Sequence, residues 1–402
     1  MTQQPQTPPP PDVESAEPLG GDGGEVRVKL FARTDVGQVR EHNEDNFLVA
    51  DLTRRSRGLL EANRATNVGP QGAVFAVCDG MGGAAAGEIA SQLAVDIIYE
   101  RLVDALGDRA LKRDELARRL VRAVEAAGLR IFHEAKADRS RRGMGTTVTA
   151  AALVDDVLFF AQVGDSRGYI LRNGTLCQLT RDQSLVNQLI EAGQLTEEEA
   201  ETFEHNNIIL QALGTSDTVQ VDLTYAELRR GDILLLCSDG LSGMVRFEEI
   251  RELLGSSPEP LDICKGLTER ANMAGGHDNI TVIVVQFDGT SLKLAEPTDL
   301  LKYRKYTLQD EHSETMPLVG GQQMTAIPGA PGPTEVMADG SIRPIGLPSA
   351  PPGPWHEHGP HGPYEHDDRI DIPGTHVPVW MVVGIVIGVM ILLAGTAFLL
   401  LR

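Results

Sequence analysis

Cysteine is scarce and scattered. Its four residues, at 78, 177, 237 and 264, form no C-x-x-C pair, and Cys78 and Cys237 lie inside apolar runs. This argues against a disulfide framework and a thiolate zinc site, and leaves small buried hydrophobes in a reducing compartment. Basic charge is also short. Against 57 Asp and Glu stand 36 Lys and Arg, a formal charge of −21. Non-specific nucleic-acid binding needs phosphate-neutralising patches, so no nucleic-acid partner is expected. No apolar stretch opens the chain, which argues against a Sec-type precursor. No Ser stands in a G-x-S-x-G elbow, so a serine hydrolase lacks support. One long apolar run exists, not several, which excludes a multi-span membrane protein. What remains, 42% hydrophobic and 23% charged residues over 402 positions, can bury a sizeable core.

The chain divides into four parts. Residues 1–25 are rich in Pro, Gly and acid and cannot offset their ordering entropy by burial, so they are expected to be disordered. Residues 26–288 read as one folded unit. Apolar stretches at 26–32, 73–78, 147–153, 157–163, 233–237 and 280–285, bounded by Gly, Asp and Asn, read as strands. A helix begins near Gly87 with Ile89, Leu93 and Ile97 at four-residue spacing. A second carries the stripe Leu116, Leu120, Val124, Ala127 and Ile131, and a third spans about 261–273. Strand pairs separated by helix pairs indicate an α+β layered fold with antiparallel sheets.

Residues 289–376 are dominated by Pro, Gly, Thr and His, including five of the ten His, and read as an extended linker. Residues 377–401 carry no charge. At ~1.5 Å per residue such a run spans roughly 37 Å, enough for a bilayer core. Trp380 stands near one boundary, and Gly384 and Gly388 form a small-xxx-small pair. The expectation is a C-terminal, single-pass transmembrane helix at the cell membrane, with the folded unit on the cytoplasmic side.

Four acids share one setting. Asp79 follows AVFAVC and precedes Gly80, and Asp239 follows ILLLCS and precedes Gly240. Asp165 closes LFFAQVG, and Asp278 stands just before ITVIVV. One Asp-Gly after a strand is ordinarily a turn. Several carboxylates at separate strand ends, each expensive to desolvate unless paired or metal-bound, suggest convergence. The run 40–45, REHNED, adds a further acidic cluster. Hard oxygen donors without Cys or paired His favour Mg²⁺ or Mn²⁺ over Zn²⁺. Several converging carboxylates suggest a pair of cations about 3.5–4 Å apart, an arrangement suited to phosphoryl displacement.

The segments TDVGQVREHNEDN, FAVCDGMGG, GMGTT, VGDSRGYI, LLLCSDGL and HDNITVIVV resemble, in order and spacing, the motifs of the metal-dependent protein phosphatases (the PPM family, type 2C), most closely the bacterial branch. The resemblance covers about 26–288. It implies a central β-sandwich of two antiparallel sheets flanked by helix pairs, and hydrolysis of phosphoserine and phosphothreonine by a hydroxide bridging two metals. It implies that Asp79 bridges both metals, with Gly80 lending its carbonyl, and that Asp239 and Asp278 complete one of them. Asp45 with Glu44 would hold water on the second. Asp165 matches the position that, with Asp239, supports a third, weaker metal in bacterial members. Arg40 matches the residue that grips substrate phosphate. Ser/Thr kinases and their substrates are the implied partners.

Two departures from the family pattern stand out. Met81 occupies the position where eukaryotic relatives have a His, so the proton donor is open. Gln211 stands where many relatives carry a basic residue, inside 182–214, a stretch that resembles the family's mobile flap. Thr196 and Glu199 in that stretch read as a capping box. Two rival readings stay open on sequence alone: a non-catalytic phosphoprotein-binding scaffold, and a hydrolase of a small phosphate ester.

Overall fold

The computed structural model describes residues 25–308, apart from 59–64, 83–85, 105, 108, 201–202 and 204–206, together with two short strands at 334–336 and 342–344. The run at 377–401 and most of 1–25 and 289–376 lie outside the described residues. Among the described residues no helix is long and apolar enough to cross a membrane.

The strands fall in chain order as β1 (Val26–Asp35), β2 (Asp45–Asp51), β3 (Ser56–Arg57), β4 (Ala65–Val68), β5 (Ala73–Met81), β6 (Gly145–Thr146), β7 (Val148–Val154), β8 (Val157–Val163), β9 (Arg167–Arg172), β10 (Thr175–Gln178), β11 (Asp222–Glu227), β12 (Ile233–Cys237) and β13 (Ile280–Gly289). One sheet runs β10-β9-β12-β13-β1-β4. The other runs β11-β8-β7-β5-β2-β3, with β6 beside β5. Every pairing in them is antiparallel. The helices are α1 (Ala86–Val103), α2 (Arg113–Ala137), α3 (Leu185–Glu191), α4 (Glu197–Ala200), α5 (Asp239–Ser242), α6 (Phe247–Leu254) and α7 (Pro260–Met273). A separate unit, residues 317–402, contributes the strand pair β14 (Thr334–Val336) and β15 (Ile342–Pro344).

Successive side chains of a strand point to opposite faces. Here both faces are covered, which is why the central strands read as unbroken apolar runs. Phe75, Val77 and Phe160 of one sheet meet Leu30, Leu234, Ile283 and Val285 of the other in the sandwich core. The opposite face of the β11-β8-β7-β5-β2-β3 sheet packs under α1 and α2, and that of the β10-β9-β12-β13-β1-β4 sheet under α5, α6 and α7. The expected α+β sandwich is thus observed.

The stripe read for α2 is buried at every position. In α1 the buried positions include Ala90, Ala94 and Ile98, one residue on from Ile89, Leu93 and Ile97, which are only partly buried. Small Ala side chains let the helix sit close to the sheet, and the larger residues flank that seam. Cys78, Cys237 and Cys264 are buried and Cys177 is half-buried, all unbridged. Burial pushes the Cys237 thiol up to about 12, so it is inert.

The linker begins later than composition suggested. Residues 290–308 fold back on the domain. Leu292 is buried, the Arg230 amide donates to Lys293 O at 2.8 Å, and the Arg229 guanidinium meets Asp299 at 2.9 Å. The Tyr306 amide donates to Leu223 O at 2.8 Å, and its ring meets Phe159 edge-on. A few aromatic and apolar anchors outweigh the polar residues around them.

Candidate active site

The candidate residues come from both sheets. Asp45 opens β2 directly opposite Asp79 of β5. Asp239 follows β12 and Asp278 precedes β13, neighbouring strands of the other sheet. Asp165 lies in the turn from β8 to β9, where the chain passes between sheets. Ser238 ties the strand ends together: its hydroxyl donates to Asp45 Oδ2 at 2.8 Å and accepts from the Thr281 amide at 3.0 Å.

The loop 36–44 is pinned by one side chain. Asn279 Nδ2 donates to the carbonyls of Val36 and His42, both at 2.9 Å, and its Oδ1 accepts from the Glu44 amide at 2.8 Å. Gly37 turns this loop with φ of +81°, and a Cβ there would meet Asp278 O at 2.3 Å. So fixed, Arg40 reaches Asp278 Oδ2 at 2.8 Å while half its side chain stays in solvent. Gly80 permits a second close approach. Its amide donates to Glu44 O at 3.1 Å, and a Cβ would fall 2.2 Å from Gly87 O.

Gly145 and Thr146 form β6 and Thr147 follows it. Their role goes beyond packing. Thr147 Oγ1 accepts from the Asp79 amide at 3.0 Å and hydrogen-bonds Ser166 Oγ at 2.7 Å. Thr146 Oγ1 donates to Asp79 O at 2.8 Å. These hydroxyls, with Ser238 and Asn279, fix the acids from behind. Their one sequence signal is that each adjoins an acidic motif or, for Thr146 and Thr147, closes GMGTT.

So many carboxyls in a buried place raise one another's proton affinity. Burial pushes Asp45 up to about 7. The charges of Asp239 and Asp278 add to this, and hydrogen bonds from Thr281 and Ser238 oppose it. Burial, then the charges of Asp239 and Asp182, push Asp165 up to about 7 as well. Asp79 is held well above the carboxylate range by burial, then by the charges of Asp45 and Asp239 and a hydrogen bond with Asp239. Burial and Asp278 raise Asp239, and burial raises Glu44 against the pull of Arg40. Burial alone would lower the Arg40 guanidinium; the charge and hydrogen bond of Asp278, with the charges of Glu44 and Asp79, together outweigh it and hold it above its ordinary value.

All eight sequence-derived residues therefore lie in one place. The cluster fits divalent cations by its donor set and by its orphans: Oδ1 of Asp45, Asp165 and Asp239 are buried with no hydrogen-bond partner. Buried acceptors of this kind are costly unless something positive meets them. Among the described residues no three His, Cys, Asp or Glu side chains already form a group able to hold a metal. The Asp79–Asp239 hydrogen bond and the Arg40–Asp278 pair engage carboxyls that such a group would use. The fit is one of donor chemistry, not of a finished coordination shell.

The flap-like stretch holds α3 and α4. The capping box is present: Glu199 N donates to Thr196 Oγ1 and Thr196 N to Glu199 Oε2 at 2.9 Å. Gln211 has a local structural role, binding Gln183 Oε1 at 2.9 Å and the Gln220 backbone at 2.8 Å. A neutral amide suits those carbonyl and amide partners where a basic side chain would not.

Comparison with known proteins places this geometry. The profile described as protein phosphatase 2C matches residues 56–263. The serine/threonine phosphatase stp of Listeria monocytogenes is 38% identical over 258 residues, 64% of this chain and 95% of that one. The serine/threonine protein phosphatase PstP of Mycobacterium tuberculosis is 40% identical over 231 residues, 58% of this chain and 43% of that one. A crystal structure of the PstP catalytic domain with two manganese ions aligns with a TM-score of 0.54 at 36% identity, covering 65% of this chain and 99% of that one.

Proposed function

The chain belongs to the protein phosphatase 2C family, and on that premise we propose how its acidic cluster serves phosphoprotein hydrolysis. It is a protein serine/threonine phosphatase. In our reading Asp79, the Gly80 carbonyl, Asp239 and Asp278 hold Mg²⁺ or Mn²⁺. Glu44 and Asp45 steady a second ion, and Asp165 with Asp239 a third. Such ions, when bound, lower the pKa of coordinated water and offset phosphate charge. The chain's own residues do the rest. Arg40 offers a guanidinium fork to two phosphate oxygens and is oriented by Asp278 and by the loop that Asn279 pins. Ser238 and Thr147 keep Asp45 and Asp79 from drifting. Met81 has no proton to give, so the leaving serine or threonine oxygen takes its proton from water.

The observation that carries this reading is three unpartnered, buried carboxylate oxygens in one cluster with Arg40. The test is release of phosphate from a phosphothreonine peptide by metal-stripped protein. Turnover is expected to appear with Mn²⁺ and vanish with chelator. Binding without turnover would favour the scaffold reading, and a strong preference for a small ester the third reading.

We also read the uncharged run 377–401 as a membrane tether, with Pro-rich residues between it and the domain. In this reading the domain faces the cytoplasm, where its unbridged cysteines stay reduced and Ser/Thr kinases and their substrates are at hand. The full chain is expected to float with lipid vesicles, and a chain ending at residue 376 to stay behind. Equal flotation of the two would remove the tether from the account.

A further inference from the structure

On a chain of net charge −21, one concavity is basic. A cavity of about 650 Å³ between the end of α1 and the start of α2 is lined by Arg101, Lys112, Arg118, Arg119 and Arg122. Two acids share the lining, and both are engaged: Asp114 pairs with Arg118, and Glu115 with Arg119 at 3.0 Å. These pairs hold two guanidinium groups in place at the wall. Arg101, Lys112 and Arg122 are exposed, and among the described residues Arg101 and Lys112 have no side-chain hydrogen bond or ion pair. The lining thus carries three more positive than negative charges, in a concave place where field lines concentrate.

Its position relative to the acidic cluster sets the ligand. Gly87, whose backbone abuts Gly80 and Glu44, lies at the first end of α1, and Arg101 near the last. Fourteen residues separate them, about 21 Å along the helix. A recess lined with Arg suits a phosphate, whose oxygens match the guanidinium fork, better than it suits a flat lipid surface. We infer that this cavity binds a second phosphorylated residue of a protein substrate, anchoring it while another phosphate is hydrolysed at the acidic cluster. An extended chain covers about 3.3 Å per residue, so the two phosphates stand at least six or seven residues apart, and about eight to twelve over a curved surface. The second contact converts a weak encounter into an intramolecular one, which lowers KM without touching the chemical step.

The inference rests on the proposed phosphatase activity, and its test separates the two. Full-length protein is given a peptide with one phosphothreonine, the same peptide with a second phosphoserine ten residues away, and p-nitrophenyl phosphate. The doubly phosphorylated peptide is expected to show a KM about tenfold lower at low salt. The double variant Arg101→Glu/Lys112→Glu should abolish that difference, with kcat and the p-nitrophenyl phosphate rate unchanged. Equal KM for the two peptides, or a difference that survives the double variant, would overturn the second site while leaving the phosphatase reading intact. No turnover of any substrate would instead strike the phosphatase reading. A vesicle of anionic lipid that binds the domain through the same two residues, with no peptide effect, would assign the cavity to a membrane surface and refute the inference.

Discussion

Asp79→Asn is expected to lower Mn²⁺-supported phosphopeptide turnover by about 10³-fold, the size of effect seen when a group that stabilises developing charge is removed. The change is almost isosteric. An Asn amide can still donate to Asp239, as the proton on Asp79 does now, and the Thr147 and Thr146 bonds to the residue 79 backbone do not involve its side chain. The fold should therefore survive, and the metal-free variant should melt no lower than the parent. Asn also removes the cost of ionising a buried carboxyl beside Asp45 and Asp239, and changes little while Asp79 is neutral. A gain of 1 kcal/mol would appear as a rise of about 2–4 °C in a domain of this size. Lost activity with retained or increased stability separates a chemical role from a structural one. Phosphate release and thermal melting read the two quantities. Near-normal turnover in Asp79→Asn, or a collapsed fold, would contradict the assignment.

The second large effect concerns pH. Asp45 and Asp165 sit near 7 in the folded domain, against an ordinary carboxylate value of 3.8. The folded state thus binds their protons more tightly than the unfolded chain. Stability from this source is full below about pH 4, falls as pH rises, and is exhausted above about 7. Other carboxyls work the opposite way. Hydrogen bonding to Arg229 holds Asp299 down to about 2, and its contribution disappears only in strong acid. Between pH 5 and 8 the buried pair governs. Metal-free protein is expected to lose several degrees of melting temperature across that range. Added Mn²⁺ should restore them, with a larger increment at pH 8 than at pH 5, because at low pH protons compete for the same oxygens. A flat pH profile, or a Mn²⁺ increment independent of pH, would show that the carboxyls do not share one site.

Much of this was legible in the sequence because the strands are buried on both faces and so stand out as apolar blocks, each ending at an acid. The spacing of those blocks indicates layered antiparallel sheets, and the acids at their ends are Asp79, Asp165, Asp239 and Asp278; the sandwich, Arg40, Gly80 and the roles of Glu44 and Asp45 come from the family resemblance. The hydrophobic signal sets the buried face of α1 one residue off, since small Ala residues that allow close packing carry little of that signal beside Ile and Leu. Composition places residues 290–308 in the linker, because averaging over a long window hides single anchors such as Leu292 and Tyr306. Ser238, Thr147 and Asn279 were not read as positioning groups. A hydroxyl or amide becomes legible as a brace only when its partners, far away in sequence, are seen around it. The basic cavity had no sequence signature either, because Arg101 and the α2 residues come together through packing.

The central claim is that carboxylates from distant strand ends receive a pair of divalent ions. Anomalous diffraction at the manganese edge, from crystals of the full chain grown with Mn²⁺, tests it most directly. Two peaks are expected flanking Asp79, one of them within ligand distance of Asp239 and Asp278. Peaks elsewhere, or none with Asp79 still hydrogen-bonded to Asp239, would contradict the account.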